Sequence, residues 1–250
     1  MRYLARLSTG IQTAENSLLS LKIEDNGTLT ICDKRTGRRY EGLLNYIDDS
    51  ETGDGWFHAS AIAERAILAS GYPAGIELLA DHPDFCVFRV VKRLPIPAAI
   101  DRDEYQMRRS ERETELRIVS DITLSREDDY IDVETRIENH ARDHRLRLLL
   151  PTGISGDYEA GTAFCSVRRK PGISLETSDW KEVGHREKAF DSILLKRDEM
   201  GGLAFLSAGG LHECAGWEDA QGTLAVTLFR SFGQTFLTNG EPDGQLLGEL

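Results

Sequence analysis

The chain has 250 residues, 30 basic against 42 acidic side chains, and a formal net charge of −12. A chain of this length buries a large core without disulfide or metal staples, and it lies within the reach of one large β-sandwich. Net acidity without clustered Lys and Arg excludes a nucleic-acid phosphate partner and an anionic membrane surface.

The N-terminal Met1-Arg-Tyr-Leu-Ala-Arg-Leu7 has no apolar core of signal-peptide length, and no apolar run reaches a transmembrane span. Cys32, Cys86, Cys165 and Cys214 lie far apart, without zinc spacing, each within an apolar run. They read as free buried thiols of a reduced, cytoplasmic protein. Residues 18–24 and 28–33 flank Asp25-Asn26-Gly27, where Asn-Gly suits the positive φ of a tight hairpin turn. A second turn over 33–37 leads into 38–40. Residues 61–68 read as a strand, although the alanines of 59–69 offer a helical rival. Strands are expected at 85–94 and 115–124, with the charged 104–115 as a solvated connection.

In 130–138, Ile131, Val133, Thr135 and Ile137 alternate with charged residues, the pattern of a strand with one wet face. Further strands are expected at 145–150, 163–168, 190–195, 202–207, 211–216 and 223–230, the last covered on both faces. Residues 245–250 read as a strand cut short. No segment gives a helix of ten residues. The expected architecture is all-β: one domain over 1–250, built as a large antiparallel two-sheet sandwich with little or no helix.

Residues 48–60 gather Asp48, Asp49, Glu51, Asp54, Trp56, Phe57 and His58. Carboxylates accept hydrogen bonds from sugar hydroxyls, and a flat indole covers the apolar face of a pyranose. The competing reading is a solvated turn with the aromatics tucked beneath. A calcium loop is ruled out because Ala59 stands where the bidentate Glu belongs. A glycosidase needs two carboxyl groups about the scissile bond; Asp49, Asp54, Asp143 and Glu213 are nominees that spacing alone does not bring together. His140 and His144 have helical zinc spacing, but strand geometry spreads them ~13 Å apart. No phosphate loop or nucleophile elbow is present. The cluster Asp143-His144-Arg145-Leu146-Arg147 is too charged for an ordinary sheet interior and is expected to form a structural or interdomain network.

Residues 26–37 resemble the "DGTLTLTDKETG" hairpin of glycoside hydrolase family 38 α-mannosidases. Residues 46–56 resemble the family's acidic "DDGDAGDEY" loop, and 139–153 resemble "N.A.DHRLRVLFPTG". Residues 163–169, 202–213 and 227–233 resemble later segments in the same order. The likeness is greatest to the bacterial mannosylglycerate-hydrolase-like branch. It implies a galactose-mutarotase-like super-sandwich, the C-terminal region of a larger glycosidase acting on α-mannosides. It implies that the nucleophile and a zinc-type divalent metal belong to an N-terminal catalytic domain, so no catalytic or metal residue is carried over here. By position, Asp54, Trp56 and His58 are the expected sugar contacts, with Trp56 where the pattern has Tyr and Gly55 where it has an acid. The expected partners are the carbohydrate and the catalytic domain, with homo-oligomers as a further expectation. The alternatives are a free-standing carbohydrate-binding or mutarotase-like sandwich, for which His212-Glu213 is the nearest acid–base pair, and a purely structural interaction domain.

Overall fold

The computed structural model describes residues 6–62, 64–102, 106–173 and 184–233. Five strands, β1 (Ser8–Gly10), β2 (Thr13–Glu15), β3 (Leu19–Ile23), β4 (Leu29–Asp33) and β5 (Arg38–Leu43), form one antiparallel sheet in chain order. The chain then supplies β6 (Asn45–Ser50), β7 (Ile67–Leu68), β8 (Ala74–Asp81), β9 (Phe85–Pro97), β10 (Ile100–Arg102), β11 (Met107–Arg109), β12 (Glu113–Ser125) and β13 (Asp132–Glu138). It continues with β14 (His144–Leu150), β15 (Tyr158–Gly161), β16 (Ser166–Arg169), β17 (Lys188–Ala189), β18 (Ile193–Asp198), β19 (Gly201–Leu206), β20 (Glu213–Gly216) and β21 (Leu224–Ser231). These make a β13-β12-β9-β8 sheet, a six-stranded β17-β20-β21-β14-β6-β7 sheet, a β16-β15-β18-β19 sheet and a β10-β11 ribbon. The expected all-β, antiparallel class holds, with the strands shared among several sheets rather than two. The helical element among the described residues is one short 3-10 turn, Ala69–Gly71.

One continuous core joins four of these sheets. Leu21 and Ile23 of the first sheet, Phe88 and Ile118 of the second, Leu146 and Val226 of the six-stranded sheet and Leu194 of β18 belong to one cluster of buried side chains. Alternation creates it: in β9, Cys86, Phe88, Val90, Leu94 and Ile96 are buried while Arg93 and Pro95 between them are exposed. Across the core, the Tyr46 hydroxyl of β6 lies 3.0 Å from Ser120 Oγ of β12, tying the six-stranded sheet to the β8–β13 sheet.

The predicted hairpin at 25–27 is present, with Gly27 at φ +77°. A Cβ there would lie 2.8 Å from both Ala74 and Val90, so glycine also lets the turn sit on the neighbouring sheet. Buried Lys92 fastens this junction, donating to the carbonyls of Asn26 (2.6 Å), Ala69 and Tyr72 (2.7 Å). Burial draws its ammonium down to about 8.

Several expectations change. Among the described residues of 61–68 the strand is limited to Ile67–Leu68, and the Ala61 amide donates to Ser50 Oγ at 2.7 Å. The 104–115 connection contains β11, which pairs with β10, and the start of β12. The thiols are free, yet Cys165 is exposed and Cys32 partly so, while burial pushes Cys86 and Cys214 up to about 11. The 245–250 segment lies outside the described residues. Among the described residues no helix is long and apolar enough to cross a membrane.

Candidate functional site

The acidic stretch is not the loop its composition suggests. Its first three residues, Asp48, Asp49 and Ser50, close β6, a strand beside β14 in the six-stranded sheet, and every residue of β14 is buried. A strand sends neighbouring side chains to opposite faces, so Asp48 and Asp49 part company. On the core side, Asp48 meets His144 Nδ1 at 2.5 Å and is also bound by the Arg109 guanidinium. The His144 Nε2 lies 3.0 Å from Asn139 Oδ1, so both ring nitrogens face oxygen atoms. On the other side, Asp49 accepts two bonds from Arg145 (3.0 and 2.9 Å), the planar fork matching the carboxylate. Arg147 adds a third at 2.6 Å, and Glu187 holds Arg145 from beyond at 2.8 Å.

This corrects the reading of Asp143–Arg147 as too charged for a sheet interior. Four residues of that run lie in the interior strand, because β6 places a matching carboxylate on each face. Asp143 turns the chain into β14 at φ +54° and accepts from Arg102 at 3.1 Å. Its carbonyl accepts from the Glu51 amide at 2.8 Å.

Beyond β6 the chain forms a tight loop. The Thr52 amide donates to the Ala59 carbonyl (2.8 Å), and the Asp54 amide to the Phe57 carbonyl (3.0 Å). A Cβ on Gly53 would lie 1.9 Å from the Phe57 oxygen, so only glycine allows this close approach. Asp54 is 1% exposed, and its Oδ1 accepts from the Trp56 and Phe57 amides at 2.7 and 2.8 Å, the short-range bonding that aspartate favours in turns.

Glu51 and Arg230 clamp the loop from below. Glu51 Oε1 accepts from the Gly53 amide (2.9 Å), and Oε2 meets His58 Nδ1 (3.0 Å) and Arg230 Nε (2.7 Å). Burial by itself would raise the Glu51 carboxyl, but the bonds from His58 and Arg230 outweigh it and hold the group down at about 2. Arg230 Nη2 also donates to the Asp54 (2.6 Å) and Phe57 (2.8 Å) carbonyls. A bulge between β14 and β21 near Leu228 brings Arg230 opposite Arg145. The result is a rigid turn that projects Trp56, 75% exposed, beside partly exposed Phe57, whose ring lies 4.8 Å from that of His185.

The sequence-predicted contacts thus divide. Trp56 faces solvent at the tip. His58 sits against Glu51 and Ser60, its side chain largely covered. Asp54 points inward to its own backbone, so it shapes the turn and has no exposed carboxylate to offer a sugar. The nominated acid pairs dissolve in the same way: Asp49 and Asp143 are ion-paired, and Glu213 accepts from Thr227 at 2.6 Å. His140 is exposed while His144 is buried. Among the described residues no group of three His, Cys, Asp or Glu side chains is arranged to hold a metal ion. Sequence reasoning missed Arg230, Glu51 and Gly53 as the parts that fix the loop. Glycine between two acids in so short a stretch was the available signal for the last.

No family model matches the chain. A protein of Halalkalibacterium halodurans described as "Putative mannosylglycerate hydrolase" is 27% identical over 238 residues, covering 90% of this chain and 26% of that protein. The crystal structure of an α-mannosidase from Enterococcus faecalis V583 superposes with a TM-score of 0.83 at 26% identity, over 92% of this chain and 27% of that one. A second structure from Enterococcus faecalis, a protein in the glycosyl hydrolase family 38, gives 0.81 at 26% identity, over 92% and 28%. The chain spans 26% to 28% of the length of these relatives.

Proposed function

We propose that this chain, a homologue of the C-terminal portion of family 38 α-mannosidases, is the C-terminal β-sandwich of a glycosidase acting on α-mannosides. In that role it completes one wall of the substrate cleft and supports the catalytic domain. The nucleophile and the divalent metal implied by the family resemblance are assigned to the portion of the relatives that this chain does not span.

The clamped turn that holds Trp56 away from the surface carries this reading. An indole fixed before the ligand arrives offers its face to a pyranose without an ordering cost at the moment of binding. His58, buttressed by Glu51, supplies a polar edge beneath it. Asp54 serves as the residue that positions the indole.

The test uses the full-length protein and an aryl α-mannoside. Trp56→Ala is expected to raise KM about tenfold, the size of one aromatic stacking contact, with little change in kcat. An unchanged KM removes Trp56 from the sugar site. The 250-residue chain alone is expected to show no hydrolysis, and turnover by it would overturn the assignment of the chemistry to the rest of the enzyme. Sugar binding by the 250-residue chain alone, lost in Trp56→Ala, would favour the free-standing carbohydrate-binding alternative.

A further inference from the structure

An open sheet has two edges, and each edge presents backbone donors and acceptors to any strand that comes beside it. Most edges here are blunted. β7 and β17 are two residues long, and β1, β10 and β11 three. β13 carries charged side chains at every second position. β8 is bent by a bulge between Leu78 and Ala80. β5 and β16 bear arginines. The exception among the described residues is β19, Gly-Gly-Leu-Ala-Phe-Leu, six residues without charge, proline or bulge.

The ladder fixes which way its groups point. The Ser207 amide donates to the Ser192 carbonyl at 2.7 Å, continuing the register of the β18-β19 pair. Alternation along an antiparallel ladder then turns the N–H and C=O of Gly202, Ala204 and Leu206 away from β18. All three residues are exposed, Leu206 at 66%, and no strand pairs with that side among the described residues. Leu203 and Phe205 between them pack against the core and hold the strand in place. Arg38 of β5 reaches the Gly201 carbonyl at 3.4 Å, which ties down the start of the edge and leaves the rest open.

We propose that β19 pairs antiparallel with β19 of a second copy of this chain, with the two-fold axis passing at Ala204. Two-fold symmetry makes one patch serve both sides of the contact. It sets Ala204 opposite Ala204 and Leu206 opposite Gly202 of the other copy, so each exposed isobutyl group meets a residue without a side chain. A charged partner strand would find no counter-charge on β19, whereas a second β19 brings no like charges face to face in the ladder. Ile193, 41% exposed and opposite Leu206 in the β18-β19 pair, widens the apolar strip on the same face. Six residues span about 20 Å, so the shared area falls below the ~800 Å² a side of a standard interface, and the dimer is weak and reversible. The sheet of β19 contains neither the 51–60 loop nor its clamp, so the inference stands apart from the sugar reading.

Sedimentation velocity of the chain, from about 1 µM to about 1 mM, tests it. A reversible monomer–dimer equilibrium with a Kd on the order of 100 µM is expected. Ala204→Lys and Ala204→Glu each set like charges across the axis and are expected to weaken it at least tenfold. Mixing those two variants should restore the dimer, because the two-fold pairing puts position 204 opposite itself. Ala204→Pro removes an outward amide that β18 does not use, so it should weaken the dimer while the sheet persists. Phe164→Ser, at a fully exposed ring in the turn before β16, should leave association unchanged. A chain that stays monomeric throughout, or association lost in Phe164→Ser, would overturn the proposal. So would failure of the mixture to dimerise when both variants keep the parent unfolding midpoint.

Discussion

On the outer face of the β8–β13 sheet, Arg93 meets Glu115 at 2.7 Å with both side chains more than half exposed. In the six-stranded sheet, Arg145 meets Asp49 at 2.9 Å with both almost wholly covered. The distances nearly match, yet the energetics differ in kind. Water already solvates the first pair, so the bond adds little. The second pair has been removed from water, and each charge there depends on the other. The contrast locates the rigidity of the candidate site. The Trp56 loop stands on a likewise covered pair, Glu51 and Arg230, and not on the solvated face.

The largest expected effect comes from breaking the covered pair. Asp49→Ala leaves Arg145 and Arg147 buried with one carboxylate, Glu187, between them. A loss of about 3–5 kcal/mol in urea unfolding is expected. A loss below about 1 kcal/mol would show that the network is relieved by water. The next effect is a pH dependence. Glu51 is held at about 2 against an ordinary 4.5, so the folded state binds its proton less readily than the unfolded state. Its stabilisation is therefore complete above pH 4.5 and is lost as pH falls from there toward 2. It amounts to something on the order of 3 kcal/mol. The Glu51→Gln variant should lack that part of the acid slope, and superimposable slopes would assign acid unfolding to other carboxylates. The smallest effect is at the solvated face: Arg93→Ala should change stability by less than about 1 kcal/mol. A larger loss would erase the distinction between the two faces.

What the sequence made legible was the apolar period. Residues 130–138 alternate as read, and β13 follows with its charged side chains outward. The Asn26-Gly27 turn followed from the conformational preference of two residues. β6 escaped because Asn45–Ser50 is polar, and polarity reads as a loop when partners are sought nearby. Those partners stand far off in the chain: Asp48 and Asp49 bond His144 and Arg145 across 96 residues. Local pattern contains no term for such pairing. Asp54 differs, because its carboxylate bonds amides only two and three residues away. It was expected to touch sugar by its position in the acidic-aromatic loop, whereas here the turn folds over it. Trp56 was read as a sugar contact by its place in the acidic-aromatic stretch, against the reading that tucks it beneath the turn, and its indole is exposed at the tip.

Arg230 lies 179 residues beyond Glu51 and 176 beyond Asp54, the two positions it joins. During synthesis, the segment around Trp56 emerges long before the strand that fastens it. Until residue 230 has been made and β21 has docked, Glu51 has no arginine partner from that strand and the turn lacks its clamp. Contacts so distant in sequence form late because a long stretch of chain must first be brought into order. The aromatic tip is therefore among the last features to take its final shape, so its geometry reports completion of the surrounding sheet.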